Sequence, residues 1–113
     1  MNPMDWFREF PGAITVCDSA GIILDMNNAS IEVNAKDGGK KLIGKNLLDC
    51  HPEPALSKLK NMLEKHLSNI YTEEENGQKR LVYQVPWYED GRPAGLVEFL
   101  LPLPVDTPHI VKE

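Results

Sequence analysis

The sequence has few cysteines and no long apolar run. Its two cysteines, Cys17 and Cys50, form no C-x-x-C pair, and with three scattered histidines they make no recognisable zinc pattern. No apolar stretch approaches the ~20 residues that a membrane-spanning helix needs. These absences argue against a structural metal site and against a membrane span, and we expect both thiols to be reduced.

Basic residues are also scarce. Lys and Arg number 12 against 17 Asp and Glu, which gives a net charge of -5. A nucleic-acid surface needs clustered Lys and Arg to displace counterions, so no nucleic-acid partner is expected. The one dense basic stretch, residues 36–41, contains two glycines and is typical of a solvated loop. The first residues are neither basic nor followed by an apolar segment, so we expect a cytoplasmic protein without a secretory signal.

Catalytic motifs are missing as well. The sequence contains no phosphate-binding loop, no dinucleotide fingerprint, no H-E-x-x-H and no G-x-S-x-G. Three consecutive acids, residues 73–75, are typical of a solvated strand end rather than of a metal site. We therefore predict no catalytic residues, no metal ligands and no enzymatic activity.

What is present predicts one small α+β domain, since 113 residues suit a single core. Asn76-Gly77 and Asp90-Gly91 are strong hairpin-turn signals. The apolar patterns and turn residues predict strands at residues 13–18, 22–26, 70–75, 80–88 and 94–101. They predict helices at residues 3–10, 27–34 and 54–69. Pro86 favours an edge or a bulge over a central ladder position.

The helix predicted at residues 54–69 has the clearest periodicity. One arc of its wheel is apolar and the opposite arc is polar, which is typical of a helix packed on a core. The apolar arc consists of Leu56, Leu59, Met62, Leu63, Leu67 and Ile70. His66 lies within this arc.

In order and in local sequence these elements resemble a PAS domain. Residues 10–14 and 18–23 resemble the PAS opening, in which an apolar strand meets a D-x-x-G turn. Residues 27–29 look like the N-x-A that begins its first inner helix. Residues 42–46 resemble the step before its long helix, and residues 89–92 resemble its last hairpin turn. Residues 44–52 also resemble a PAS subgroup with a G-x-x-hydrophobic-x-x-C-H-P step.

The resemblance implies a five-stranded antiparallel sheet. Short helices and one longer helix would pack on one face, and the N-terminal helix would lie on the other. Residues 1–10 are then an N-terminal helix and dimerisation lead-in, residues 11–101 the PAS domain and residues 102–113 a tail. The familiar closing D-I-T is reduced here to Val105-Asp106-Thr107.

Three residues are candidates for cofactor or ligand binding. Light-sensing relatives place a flavin-reactive cysteine directly after G-x-N, where this sequence has Leu47, so the resemblance argues against a flavin adduct at Cys50. The alternative is that Cys50 is a small, mostly buried thiol. His51 either points into a pocket or caps the long helix and faces water. His66 either ligates haem, as a histidine on this helix does in haem-binding relatives, or is a partly buried residue near the edge.

The resulting hypothesis is a sensory signal-transduction module that binds a small ligand, mediates protein–protein contacts as a homodimer, or does both. The gap between sheet and long helix would hold the ligand. The main alternative is a ligand-free dimerisation scaffold. A haem-binding sensor and a small α+β enzyme are the further alternatives. The sequence names neither the cofactor, if there is one, nor the downstream partner.

Overall fold

The computed structural model describes residues 3–113 and has an α+β fold. The helices are α1 (Asp5–Glu9), α2 (Asn28–Val33) and α3 (Ala55–Lys65). The strands are β1 (Ala13–Asp18), β2 (Ile23–Met26), β3 (Asn69–Glu75), β4 (Gln78–Glu89) and β5 (Arg92–Leu103). Short 3-10 turns at Ala35–Asp37, Gly39–Leu42 and Leu47–Asp49 connect α2 to α3. Residues 1 and 2 of the predicted lead-in lie outside the described residues.

The strands form one antiparallel sheet in the order β2-β1-β5-β4-β3. Two tight hairpins build its second half. Asn76 and Gly77 have φ of 52° and 78°, and Asp90 and Gly91 have φ of 51° and 78°. Positive φ at both central residues is the type I′ geometry whose twist matches that of the flanking strands. The predicted turns and the five-stranded sheet are therefore confirmed.

The inner face of the sheet carries α3. Cys17 on β1 pairs with Leu96 on β5, and the two form one buried cluster with Met62 and Leu63 of the helix. A second cluster joins Ile23, Met26 and Leu42 beside it. Leu42 is buried in this cluster and begins the segment that resembles the step before the long helix of a PAS domain.

The outer face is covered only in part. Ile14, Phe99, Tyr83 and Ile70 form one row across β1, β5, β4 and β3. Ile14 is 2% exposed, whereas Tyr83 is 40% and Ile70 is 50% exposed. This side of the sheet is therefore closed near β1 and open near β3. We call Ile70, Tyr83 and Phe99 the outer row.

Helix α1 lies at the closed end. Its Phe7 is buried, and its Arg8 forms an ion pair of 2.8 Å with Asp25 on β2 and donates a hydrogen bond of 2.9 Å to the Met26 carbonyl oxygen. Asp25 precedes the inward-facing Met26, so alternation places it on the outer side. Trp6 stays 59% exposed.

Helix α3 is shorter than predicted. It ends at Lys65 because His66 adopts a left-handed conformation with φ of 55°. The backbone N–H of Leu67 then donates to the Met62 carbonyl oxygen at 3.1 Å, the bond that closes a Schellman motif. The prediction that the helix continues to Asn69 is wrong, since Asn69 already begins β3.

Two strand details also differ from or refine the predictions. Strand β5 continues past the predicted end at Leu101 to Leu103. Pro86 lies beyond Gln84, the last residue of β4 that pairs with β3, so only β5 runs beside it. An edge position of this kind tolerates a residue without an N–H, as the sequence indicated.

Candidate functional site

A buried asparagine fixes one end of the inner face. Asn27 is 0% exposed, and its Oδ1 accepts hydrogen bonds from the backbone N–H groups of Ile14 (2.9 Å) and Ser30 (3.0 Å). Its Nδ2 donates to the Gly12 carbonyl oxygen at 2.8 Å. The Ser30 hydroxyl in turn hydrogen-bonds to the hydroxyl of Thr15. One side chain therefore caps α2, ties it to β1 and orients Thr15.

A cavity of about 160 Å³ lies between this inner face and helix α3. Its apolar wall consists of Cys17, Ile23, Met26, Leu42, Leu47, Leu59, Met62 and Leu96. Drug-sized pockets begin near 300 Å³, whereas an apolar cavity of about 150 Å³ holds a benzene-sized molecule. The volume therefore suits a ligand with a single ring.

The floor of the cavity is polar. Thr15, Glu98 and Gln84 lie side by side on β1, β5 and β4, and we call them the polar floor. Asn69 donates through Nδ2 to Gln84 Oε1 at 2.9 Å. Gln84 donates through Nε2 to Glu98 Oε2 at 2.6 Å. This chain of hydrogen bonds fixes the amide and holds the carboxylate in place.

His51 contributes a polar group from the opposite wall. It is half-buried and lines the cavity, and its Nδ1 lies 2.7 Å from the Leu47 carbonyl oxygen. A carbonyl oxygen accepts only, so Nδ1 carries the proton and Nε2 of the neutral ring is an acceptor. Asn46 holds the preceding turn by accepting from the Leu48 N–H at 2.9 Å. The prediction that His51 points into a pocket is consistent with this geometry.

Comparison with known proteins gives relatives by structure alone. No family model matches the chain, and no curated protein matches it. The PAS domain of an HTR-like protein from Haloarcula marismortui superposes with a TM-score of 0.57 at 14% identity, over 87% of this chain and 86% of that one. The Aer2 receptor from Vibrio cholerae, a dual PAS-haem oxygen sensor, gives 0.56 at 19% identity, over 82% and 95%. The chain has the PAS fold.

A third neighbour is larger than this chain. The VqmA dimer from Vibrio cholerae, a LuxR-type receptor, superposes with a TM-score of 0.62 at 17% identity. The match covers 89% of this chain but only 50% of VqmA. The chain therefore spans about half the length of that receptor.

Cys50 lies outside the cavity of this PAS fold. Its side chain is exposed, and its Sγ lies 3.6 Å from the Asn46 carbonyl oxygen. The interpretation of Cys50 as a mostly buried thiol is wrong, because the 3-10 turn at Leu47–Asp49 ends just before it and turns it toward solvent. The buried thiol is Cys17, where burial above all raises the pKa, so that the neutral thiol serves as apolar wall.

His66 also lies outside the cavity. The prediction placed it on the apolar arc of the long helix, but it is the left-handed residue after the helix end and is exposed. A haem-binding arrangement does not fit, because the candidate ligand points elsewhere and a four-pyrrole macrocycle exceeds a cavity of about 160 Å³. The structure brings His51 to the cavity, but not Cys50 or His66.

The most distinctive groups of the site were missed by the motif search. Glu98 and Gln84 belong to no motif, yet each is a polar residue at an inward position between two apolar neighbours in the chain. A charged residue at a core-facing position is costly unless it is paired or functional. Period-two alternation along residues 94–101 was the signal that could have identified Glu98.

Neither a metal-binding cluster nor a membrane-spanning helix occurs among residues 3–113. They contain no group of three or more His, Cys, Asp or Glu side chains arranged to hold a metal ion. Their helices are all too short or too polar to cross a membrane.

Proposed function

We propose that this chain is a sensory PAS module that binds a small molecule in the cavity under α3 and signals through protein contacts, first of all with a second copy of itself. The observation that carries the proposal is the cavity itself: an apolar wall, an ordered polar floor and an acceptor nitrogen on His51. Such sites combine apolar lining with a few fixed polar groups that orient the ligand. In this proposal the chain acts by binding and not by catalysis, and its cytoplasmic location stays a prediction.

The neighbours support a sensory role. VqmA has been solved bound to DPO, and Aer2 is described as an oxygen sensor. Both proteins bind a small molecule and contain a domain of this shape.

The sheet offers a direct route from cavity to partner. Gln84 and Glu98 pair with each other on the inner face, and their chain neighbours Tyr83 and Phe99 pair on the outer face. A ligand that moves the polar floor therefore shifts the same two strands that carry the outer row. A partner that binds one strand arrangement better than the other would read that shift.

Filling the cavity tests ligand binding. We expect Leu59→Trp to remove the ligand, because Leu59 lines the cavity and the indole takes up its space. Lys60→Trp is the matched control, since Lys60 is the exposed neighbour on the same helix. Native mass spectrometry of protein purified from cell extract should show added mass in the wild type and in Lys60→Trp, and bare mass in Leu59→Trp. Added mass retained by Leu59→Trp would contradict the proposed site.

Bare mass in all three proteins would instead favour a second function, that of a ligand-free dimerisation scaffold. The open outer row favours it, because the apolar side chains of Ile70 and Tyr83 are 50% and 40% exposed side by side on that face. In that case the dimer alone would carry the signal.

A charged substitution in the outer row tests homodimerisation, which both proposed functions require. We expect Tyr83→Arg to weaken homodimerisation at least about thirtyfold, as loss of a buried aromatic anchor does. Tyr71→Arg is the matched control, since Tyr71 is 43% exposed and, through its pairing with Val82, faces the inner side. Sedimentation equilibrium measures the dimer dissociation constant of both variants and of the wild type. Equal weakening by the two variants, or a monomeric wild type, would refute dimerisation through this face.

A further inference from the structure

Among the described residues, the side chains that line the cavity include an acid but no lysine or arginine. The acid is Glu98. The nearest basic residue on the inner side of β4, Arg80, is held by Glu73 at 2.7 Å. The negative charge of the floor therefore faces the cavity without a cation beside it.

One carboxylate oxygen is available to a ligand. Gln84 occupies Glu98 Oε2 at 2.6 Å, and its own Oε1 is taken up by Asn69. The structure assigns no protein donor to Glu98 Oε1 among residues 3–113. Because Asn69 holds the side-chain amide of Gln84 in this orientation, Glu98 Oε1 is left as an ordered acceptor.

His51, another residue that lines the cavity, offers a second hydrogen-bond acceptor. His51 uses its proton toward Leu47, so Nε2 of the neutral ring accepts. Two residues that line the cavity of about 160 Å³, Glu98 and His51, thus each carry an acceptor. An acceptor that has no protein donor is free to bind a donor from a ligand, so the complementary ligand donates hydrogen bonds.

We infer that the cavity selects a single-ring compound with N–H donors, such as an amine, an amide or an amino-substituted heterocycle, neutral or cationic, and that it rejects carboxylates. The ring fills the space between Leu59, Met62 and Leu96, and an N–H group donates to Glu98. This inference rests on the proposed function, because it names the ligand class of the same site.

Three probes of similar size separate the chemistry from the shape. 2-Aminopyridine is a ring with adjacent N–H donors once protonated, toluene has the ring without donors, and benzoate carries an anion. Each is titrated into ¹⁵N-labelled protein, and the backbone amide shifts of cavity residues are followed. We expect 2-aminopyridine to bind at least tenfold more tightly than toluene, and benzoate to cause no cavity shifts.

A pair of variants assigns the effect to Glu98. In Glu98→Gln we expect 2-aminopyridine to bind about tenfold or more weakly, because a charge-assisted hydrogen bond is lost, while toluene changes less than twofold. Glu74→Gln is the matched control: Glu74 is an exposed acid of β3, and we expect unchanged affinities. The dispersion of the spectra verifies that each variant is folded.

The outcomes separate the two proposals. Toluene or benzoate binding in the cavity as tightly as 2-aminopyridine, or no loss in Glu98→Gln, would overturn the inferred ligand class while the binding function stands. If none of the three probes shifts a cavity residue, the inferred class is again overturned. The proposed function falls with it only when native mass spectrometry also gives bare protein.

Discussion

Replacing Gly95 with alanine is expected to destabilise the fold by about 2–5 kcal/mol, a large share of the ~5–15 kcal/mol by which a typical domain is stable. Gly95 has φ of 152°, and a Cβ there would overlap the Cys17 carbonyl oxygen and lie 2.8 Å from Asp18 Cα. The strained φ accounts for about 1–2 kcal/mol, and the forced separation of β1 from β5 for about 1–3 more. Trp87 Nε1 donates to that same Cys17 oxygen at 2.9 Å, so its bond is disturbed as well.

Gly91→Ala is the matched control in the same hairpin. Gly91 also has positive φ, 78°, but a Cβ there meets nothing within 4 Å. We expect Gly91→Ala to lower the free energy of unfolding by only about 1–2 kcal/mol, because only the cost of the positive φ applies. Urea unfolding followed by tryptophan fluorescence measures the free energy of unfolding of both variants. Equal losses in the two variants would show that β1 and β5 do not approach each other as closely at Gly95 as described.

Asn27→Ala is expected to have at least as large an effect, about 3–7 kcal/mol. The substitution leaves the Ile14 N–H and the Gly12 carbonyl oxygen without their partner, each at about 1–3 kcal/mol, and removes the cap of α2, at about 1 kcal/mol. Thr15 also loses its alignment, since its hydroxyl partner Ser30 is held by the same asparagine. The site and the fold therefore share one anchor.

The neighbouring Asn28→Ala provides the control for Asn27. Asn28 is exposed, and its replacement is expected to change the free energy of unfolding by less than about 0.5 kcal/mol. Chemical denaturation of the two variants side by side gives the difference. A loss below about 1 kcal/mol for Asn27→Ala would contradict its role as the anchor of β1 and α2.

The strands could be predicted because their signals are local. Asn76-Gly77 and Asp90-Gly91 demand type I′ turns wherever they occur between apolar runs, and the turns then fix the register of β3, β4 and β5. Strand β1 was predicted with the bounds that the structure shows. The ordered likeness to a PAS domain added the topology, which no single turn determines.

The end of α3 could not be predicted in the same way. Leu67 and Ile70 continue the helical period past His66, so the apolar pattern alone favours a longer helix. The chain ends the helix with a non-glycine residue in the left-handed region, which carries little sequence signal. That one misplaced boundary also moved His66 onto a face that it does not occupy.

The candidate site was predicted only in part for a related reason. His51 was identified from its motif, but the polar floor is created by register: Thr15, Gln84 and Glu98 meet because three strands pair as they do. Their separation along the sequence gives no hint of this. Only the inward position of Glu98 in an apolar strand could have marked it as unusual.

The most direct test of the account is a crystal structure of the purified protein with the cavity in clear electron density. We expect continuous density for one ring, packed against Leu59 and Met62 and within hydrogen-bonding distance of Glu98 or His51 Nε2. A cavity that is collapsed, with Met62 or Leu59 turned into it, or one that contains only separate water molecules, would contradict the claim that this domain is built around a ligand.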